Sequence, residues 1–140
     1  MQEIREVIEA KAALLEKGDV KAMTQYYAPQ VVQFSLAPPL ATLVDGADPT
    51  PIEQWIGTFA APPRRTVTRL EITTDGDVAF ATSVDNLTAT PRGTTEAFTM
   101  WYRVTLGLRR IDGKWLVTHE HSSVPFYMDG SLRAAVDLEP

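Results

Sequence analysis

The stretch W-Y-R-V-T-L-G-L-R-R-I-D-G-K-W-L-V-T-H-E-H-S-S, Trp101 to Ser123, decides the fold. Two runs of strand-forming residues flank D-G-K, Asp112 to Lys114, which is a hairpin signal. The runs are therefore antiparallel neighbours. Successive side chains on a strand leave opposite faces. Alternation puts Trp101, Arg103, Thr105 and Arg109 on one side of the first strand, and Tyr102, Val104, Leu106 and Leu108 on the other. On the second strand Trp115, Val117, His119 and His121 share a side, opposite Leu116, Thr118 and Glu120. Pairing across the turn brings Arg109 toward Trp115 and Arg103 toward His121, with the register open to a bulge.

Upstream, T-V-T-R-L-E-I-T-T and V-A-F-A-T-S-V-D-N-L-T are separated by D-G-D at Asp75 to Asp77, and P-R-G at Pro91 to Gly93 precedes the next run. Four strands joined by short turns make an antiparallel meander. Several exceed the usual strand length of about five or six residues. Long strands twist and coil, which gives the sheet a concave side. The first third of the chain is helical. Ile4, Val7, Ile8, Ala12 and Leu15 recur at helical spacing, Lys17-Gly18 ends the helix, and Asp19 caps a second short one carrying Val20 and Met23. A β-like run, V-V-Q-F-S, breaks at Pro38-Pro39. In T-P-I-E, Thr50 reads as an N-cap and Glu53 completes a capping box for a third helix over about residues 51–60. Its apolar face is Ile52, Trp55, Ile56 and Phe59. The class is α+β, three N-terminal helices packed on a strongly curved antiparallel sheet. One domain is expected over residues 1–128, followed by a C-terminal tail, 129–140, that is expected to fray.

Composition narrows the chemistry. The net charge of −5 provides no basic field for nucleic acid or anionic lipid. The basic pairs Arg64–Arg65 and Arg109–Arg110 each divide between two strand faces, leaving at least one member solvated. The absence of cysteine excludes disulfides, thiolate nucleophiles and thiolate metal sites. The N-terminus lacks a signal-peptide core and no apolar run approaches the ~20 residues of a membrane span, so a soluble, cytoplasmic protein is expected.

Two segments, Tyr26–Leu40 (Y-Y-A-P-Q-V-V-Q-F-S-L-A-P-P-L) and Trp101–Phe126 (the opening stretch continued by V-P-F), resemble the SnoaL-like branch of the nuclear transport factor 2-like superfamily, the ketosteroid isomerase homologues. The resemblance implies a cone-shaped fold whose sheet lines a pocket with one face and builds a homodimer with the other. That fold hosts isomerases, cyclases, hydrolases, dehydratases and non-catalytic association domains. Ser35 departs from the pattern, standing where family members commonly carry an acidic residue. The general-base carboxylate of the ketosteroid isomerases is missing from that part of the chain, which argues against steroid isomerisation by their mechanism. The Asp-Arg-Asp arrangement of the limonene epoxide hydrolases is not evident either.

The face carrying Trp101, Arg103, Thr105, His119 and His121 reads as one wall of a pocket, or alternatively as a dimer interface. Four roles are open to the histidines: metal ligation, acid–base catalysis, ligand binding without chemistry, and structural hydrogen bonding. H-x-H offers two metal ligands where most zinc sites need three, so neither a metal nor a cofactor is implied. Arg103, if buried, needs an anionic partner, either Glu96, Asp85 or Glu120, or a ligand's carboxylate or enolate. Asp85, sharing its side with Ala79, Ala81 and Ser83, is a further acid–base candidate. Tyr27 and Trp55 join Trp101 and Thr105 as ligand-binding candidates. The expected function is binding of a compact apolar carbonyl compound, with proton transfer by His119 or His121 and oxyanion stabilisation by Arg103. The alternative is a non-catalytic ligand-binding or dimeric association domain, paired through Tyr102, Val104, Leu106 and Leu108.

Overall fold

A computed structural model describes residues 1–140. Its elements run α1 (Gln2–Lys17), α2 (Val20–Thr24), β1 (Tyr27–Phe34), β2 (Thr42–Val44), α3 (Thr50–Ile56), β3 (Arg64–Asp75), β4 (Val78–Ala89), β5 (Phe98–Ile111) and β6 (Lys114–Ser123). The meander β3 to β6 forms as its turns dictate. Asp112 and Gly113, at φ 51° and 79°, both adopt the left-handed backbone of a tight β5–β6 hairpin. The sheet then extends. β1 joins β6 in parallel and β2 pairs with β1, giving six strands in the order β2-β1-β6-β5-β4-β3.

Helix α1 lies on the inner face of this curved sheet, mainly against β3. Its stripe of Ile4, Val7, Ile8 and Leu15 is buried as its periodicity predicts, but the middle position belongs to Lys11 rather than Ala12. Gly18 closes α1 in the left-handed conformation, and the Asp19 carboxylate accepts from the Ala22 N–H at 3.2 Å to start α2. Helix α3 is shorter than expected and Thr50 does not cap it. Asp48 accepts the Thr50 N–H at 3.0 Å instead, two residues upstream. Phe59 lies beyond the helix, buried, and bridges to Pro91.

The core contains Tyr102, Val104, Leu106 and Leu108 of β5, packed with Ile4, Val7 and Ile8 of α1 and with Trp115 and Val117 of β6. Each such side chain contributes roughly 1.5–3 kcal/mol by leaving water. The β5 residues expected to pair two subunits are therefore the inner core. They are no dimer surface, because α1 already covers them. The tail is also anchored further than expected. Ala135 is 2% exposed, its N–H donates to the Pro125 carbonyl at 2.8 Å, and the Tyr127 hydroxyl donates to the Asp137 carboxylate.

Candidate functional site

One irregularity decides which residues can form a site. Gly107 pairs with His119, but the next β5 residue, Leu108, pairs with Val117, so Thr118 is an extra residue on β6. This β-bulge reverses the in–out alternation of β6. Gly107 is suited to the spot, because a Cβ there would approach the His119 Cβ to 3.2 Å. Before the bulge Trp115 and Val117 point inward; after it Glu120 and Ser122 do, and His119 and His121 point out.

The predicted wall therefore comes apart. Trp101, Arg103 and Thr105 lie on the outer face, with His121 opposite Thr105 and Ser123 opposite Arg103. Arg103 and His121 are exposed. Arg103 does not meet His121, and Trp115 meets Arg110, at 5.1 Å from its ring, rather than Arg109. His119 Nδ1 donates to the Val32 carbonyl of β1 at 2.8 Å, which requires the proton on Nδ1. The Phe34 ring stands edge-on to His119 at 4.9 Å and to His121 at 5.3 Å. No cluster of three possible metal ligands forms around them. Of the eight site candidates, Asp85, Tyr27 and Trp55 belong to the inner side.

That inner side holds a cavity of about 400 Å³. Its rim comes from the β1–β2 loop and α3, including Leu36, Pro38 and Trp55, and its walls include Leu15, Met23 and Leu87. The connection from β2 to α3, which also lines the cavity, packs tightly on β1 because Gly46 lacks a side chain: a Cβ there would collide with the Ala28 carbonyl oxygen and lie 2.6 Å from the Tyr27 Cβ. Polar groups gather at the buried end, namely Arg65 of β3, Tyr102 of β5, Glu120 and Ser122 of β6, and Tyr27 of β1. Behind them stand Asp85 of β4 and Lys11 of α1, 0% and 4% exposed.

These groups form one chain of charge. Asp85 Oδ2 accepts from Arg65 Nε at 2.7 Å, and Glu120 Oε1 lies 3.8 Å from both Arg65 Nη1 and Lys11 Nζ. An arginine between two carboxylates thus does occur, assembled from three strands that no local spacing connects. Asp85 Oδ1 has no partner, so Asp85 relies on its single bond to Arg65. Burial alone would push the Glu120 carboxyl up, but Lys11, Arg65 and the Tyr27 hydroxyl together hold it below its ordinary value. Burial pulls the Lys11 amine down, against the opposing pull of Glu120. Burial and Glu120 push the Tyr27 phenol well up, and burial lifts Tyr102 to about 12, so both phenols stay protonated donors at neutral pH. Glu120, Arg65 and Lys11 were missed as site residues. For Arg65 the signal was the division of the Arg64–Arg65 pair between two faces. For Lys11 it was the helical spacing to Ile8 and Leu15.

Helices packed on the inner face of a strongly curved sheet, with a polar-ended cavity beside them, define the cone-shaped α+β class. Within it, the family model described as the SnoaL-like domain matches residues 4–127, and the chain belongs to that family. Among solved structures, it is similar to a nuclear transport factor 2-like protein of unknown function from Pseudomonas putida KT2440. The two are 29% identical over 99% of this chain and 95% of that one, with a TM-score of 0.86. It also shares its fold with a candidate calcium/calmodulin-dependent protein kinase II association domain from Xanthomonas campestris, at 21% identity over 86% and 84% of the two chains and TM-score 0.73. A third is a candidate scytalone dehydratase from Novosphingobium aromaticivorans, at 15% identity over 96% and 90%, TM-score 0.78. No curated protein matches the chain. No helix is long and apolar enough to cross a membrane.

Proposed function

We propose that the protein binds a compact, largely apolar carbonyl compound in the inner cavity and moves a proton on it, with Glu120 as the base. The observation that carries this reading is the placement of Glu120. It is ionised, 15% exposed and at the buried end of an otherwise largely apolar cavity, with two cations 3.8 Å away. At that distance the cations steady the charge without occupying the carboxylate's hydrogen-bonding positions. Glu120 would take a proton from carbon beside the ligand carbonyl. The electron pair would pass to the carbonyl oxygen, where Arg65 and the protonated phenol of Tyr102 offset the developing charge, while the Tyr27 hydroxyl serves Glu120. Returning the proton from Glu120 to a different carbon gives an isomer, and delivering it to a β-hydroxyl that leaves as water gives dehydration; either way the Glu120 carboxylate is regenerated. The base and cation roles thus pass from His119, His121 and Arg103 to Glu120 and Arg65, and Asp85, expected as a further acid–base candidate, serves in this reading to hold Arg65.

The test is exchange of α-protons in deuterated buffer, followed by NMR over a panel of cyclic enones, lactones and β-dicarbonyls. Glu120→Gln should slow exchange by roughly 10²–10⁴-fold on any probe the protein accelerates. An undiminished rate in a folded Glu120→Gln protein would remove Glu120 from the chemistry.

A second reading, a dimeric association domain, draws on the outer sheet face, where Val32, Phe34, Val78 and Phe80 are 37–54% exposed. A second copy covering that face is its requirement, and sedimentation that finds only monomer at micromolar concentration would count against it.

A further inference from the structure

We propose that the cavity selects uncharged ligands and that Glu120 sets this preference, so that removing its charge turns the site into one for anions. The inference rests on the cavity being the ligand site, as proposed above.

The charges at the buried end balance. Lys11 and Arg65 contribute two positive charges, and Glu120 and Asp85 two negative ones. The two carboxylates are not equivalent. Asp85 is fully buried under Arg65 and does not line the cavity, whereas Glu120 lines it. A ligand carboxylate reaching the buried end would meet Glu120 at close range. A ligand cation would meet Arg65, which also lines the cavity, with Lys11 3.8 Å behind Glu120. Either would leave one buried charge unmatched, whereas an uncharged ligand disturbs nothing.

Glu120 is also the one carboxylate within ion-pair distance of Lys11. Arg65 has Asp85 at 2.7 Å in reserve, but Lys11 has no second anionic partner. Neutralising Glu120 therefore leaves two cations facing one buried anion, an excess of one positive charge beside the cavity. Removing the charge of Lys11 instead leaves an excess of one negative charge. The two substitutions should move selectivity in opposite directions, which a general loosening of the fold would not do.

Benzamide, benzoate and benzamidine are near-isosteric probes that are neutral, anionic and cationic at neutral pH, and small enough for a cavity of about 400 Å³. Binding is read by titration, following the Leu87 amide and Trp55 indole signals in proton–nitrogen NMR spectra. In the unaltered protein benzamide should bind best. In Glu120→Gln the benzoate-to-benzamide affinity ratio should rise about tenfold or more, and in Lys11→Met the benzamidine-to-benzamide ratio should rise similarly. Ratios unchanged in both variants, with benzamide still bound in the cavity, overturn the charge rule and leave the cavity reading standing. Failure of all three probes to shift Leu87 or Trp55 in the unaltered protein would overturn both. Should one variant not fold, the other alone decides the sign.

Discussion

Replacing Asp85 with leucine tests whether the buried charge chain is one coupled unit. Asp85 is 0% exposed and its carboxylate accepts from Arg65 Nε at 2.7 Å, while the Arg65 side chain is 16% exposed. Two unit charges about 4 Å apart attract by about 4 kcal/mol at an effective dielectric constant of about 20. Breaking a buried pair by removing one partner costs about 3–5 kcal/mol. Arg65 retains Glu120 at 3.8 Å, so Asp85→Leu should fall at the lower end, about 3 kcal/mol. For a domain of this size that lowers Tm by roughly 6–12 °C. Arg65→Met should cost more, because Asp85 would then be fully buried with neither a cation nor a hydrogen bond. The double variant should recover much of the loss, since both charges leave together and apolar groups of similar volume replace them. Urea unfolding followed by circular dichroism gives the full cycle, with an expected coupling of about 2–3 kcal/mol. A cost below about 1 kcal/mol for Asp85→Leu, or additive costs in the double variant, would refute the coupled chain.

Two further outcomes follow from the same geometry. Glu120 has a folded-state value below its ordinary 4.5, so its stabilisation is present above that pH and lost as pH falls through the lowered value. Urea unfolding between about pH 5 and pH 3 should show a shallower loss of stability in Glu120→Gln than in the unaltered protein, and equal slopes would contradict the assignment. His121→Ala removes an exposed outer side chain, so its effect on stability should stay within about 0.5 kcal/mol and benzamide affinity should not move. A marked loss of affinity would return His121 to the site.

What could be read without the structure was local. The stripe of α1, the glycine stop at Gly18, the Asp19 cap and the hairpin at Asp112-Gly113 depend on short-range spacing and turn chemistry, and they form as expected save that Lys11 takes the place of Ala12 in the stripe. The inward position of Asp85 was also legible, because β4 keeps an unbroken register with β5 from Val78 to Ala89. The site was less legible. Alternation carries a face assignment along a strand only while every residue is paired, and Thr118 is not. From that residue on, the two histidines and Glu120 exchange faces.

The sequence by itself determined the class, the order of elements and the presence of polar groups on the β5–β6 hairpin, all properties of short-range periodicity and turn chemistry. Tertiary structure decided which face is inside and which charges meet. Lys11, Arg65, Asp85 and Glu120 come from a helix and three strands far apart in the chain. Each alone would be too costly to bury, and only the folded sheet brings their opposite charges within reach of one another.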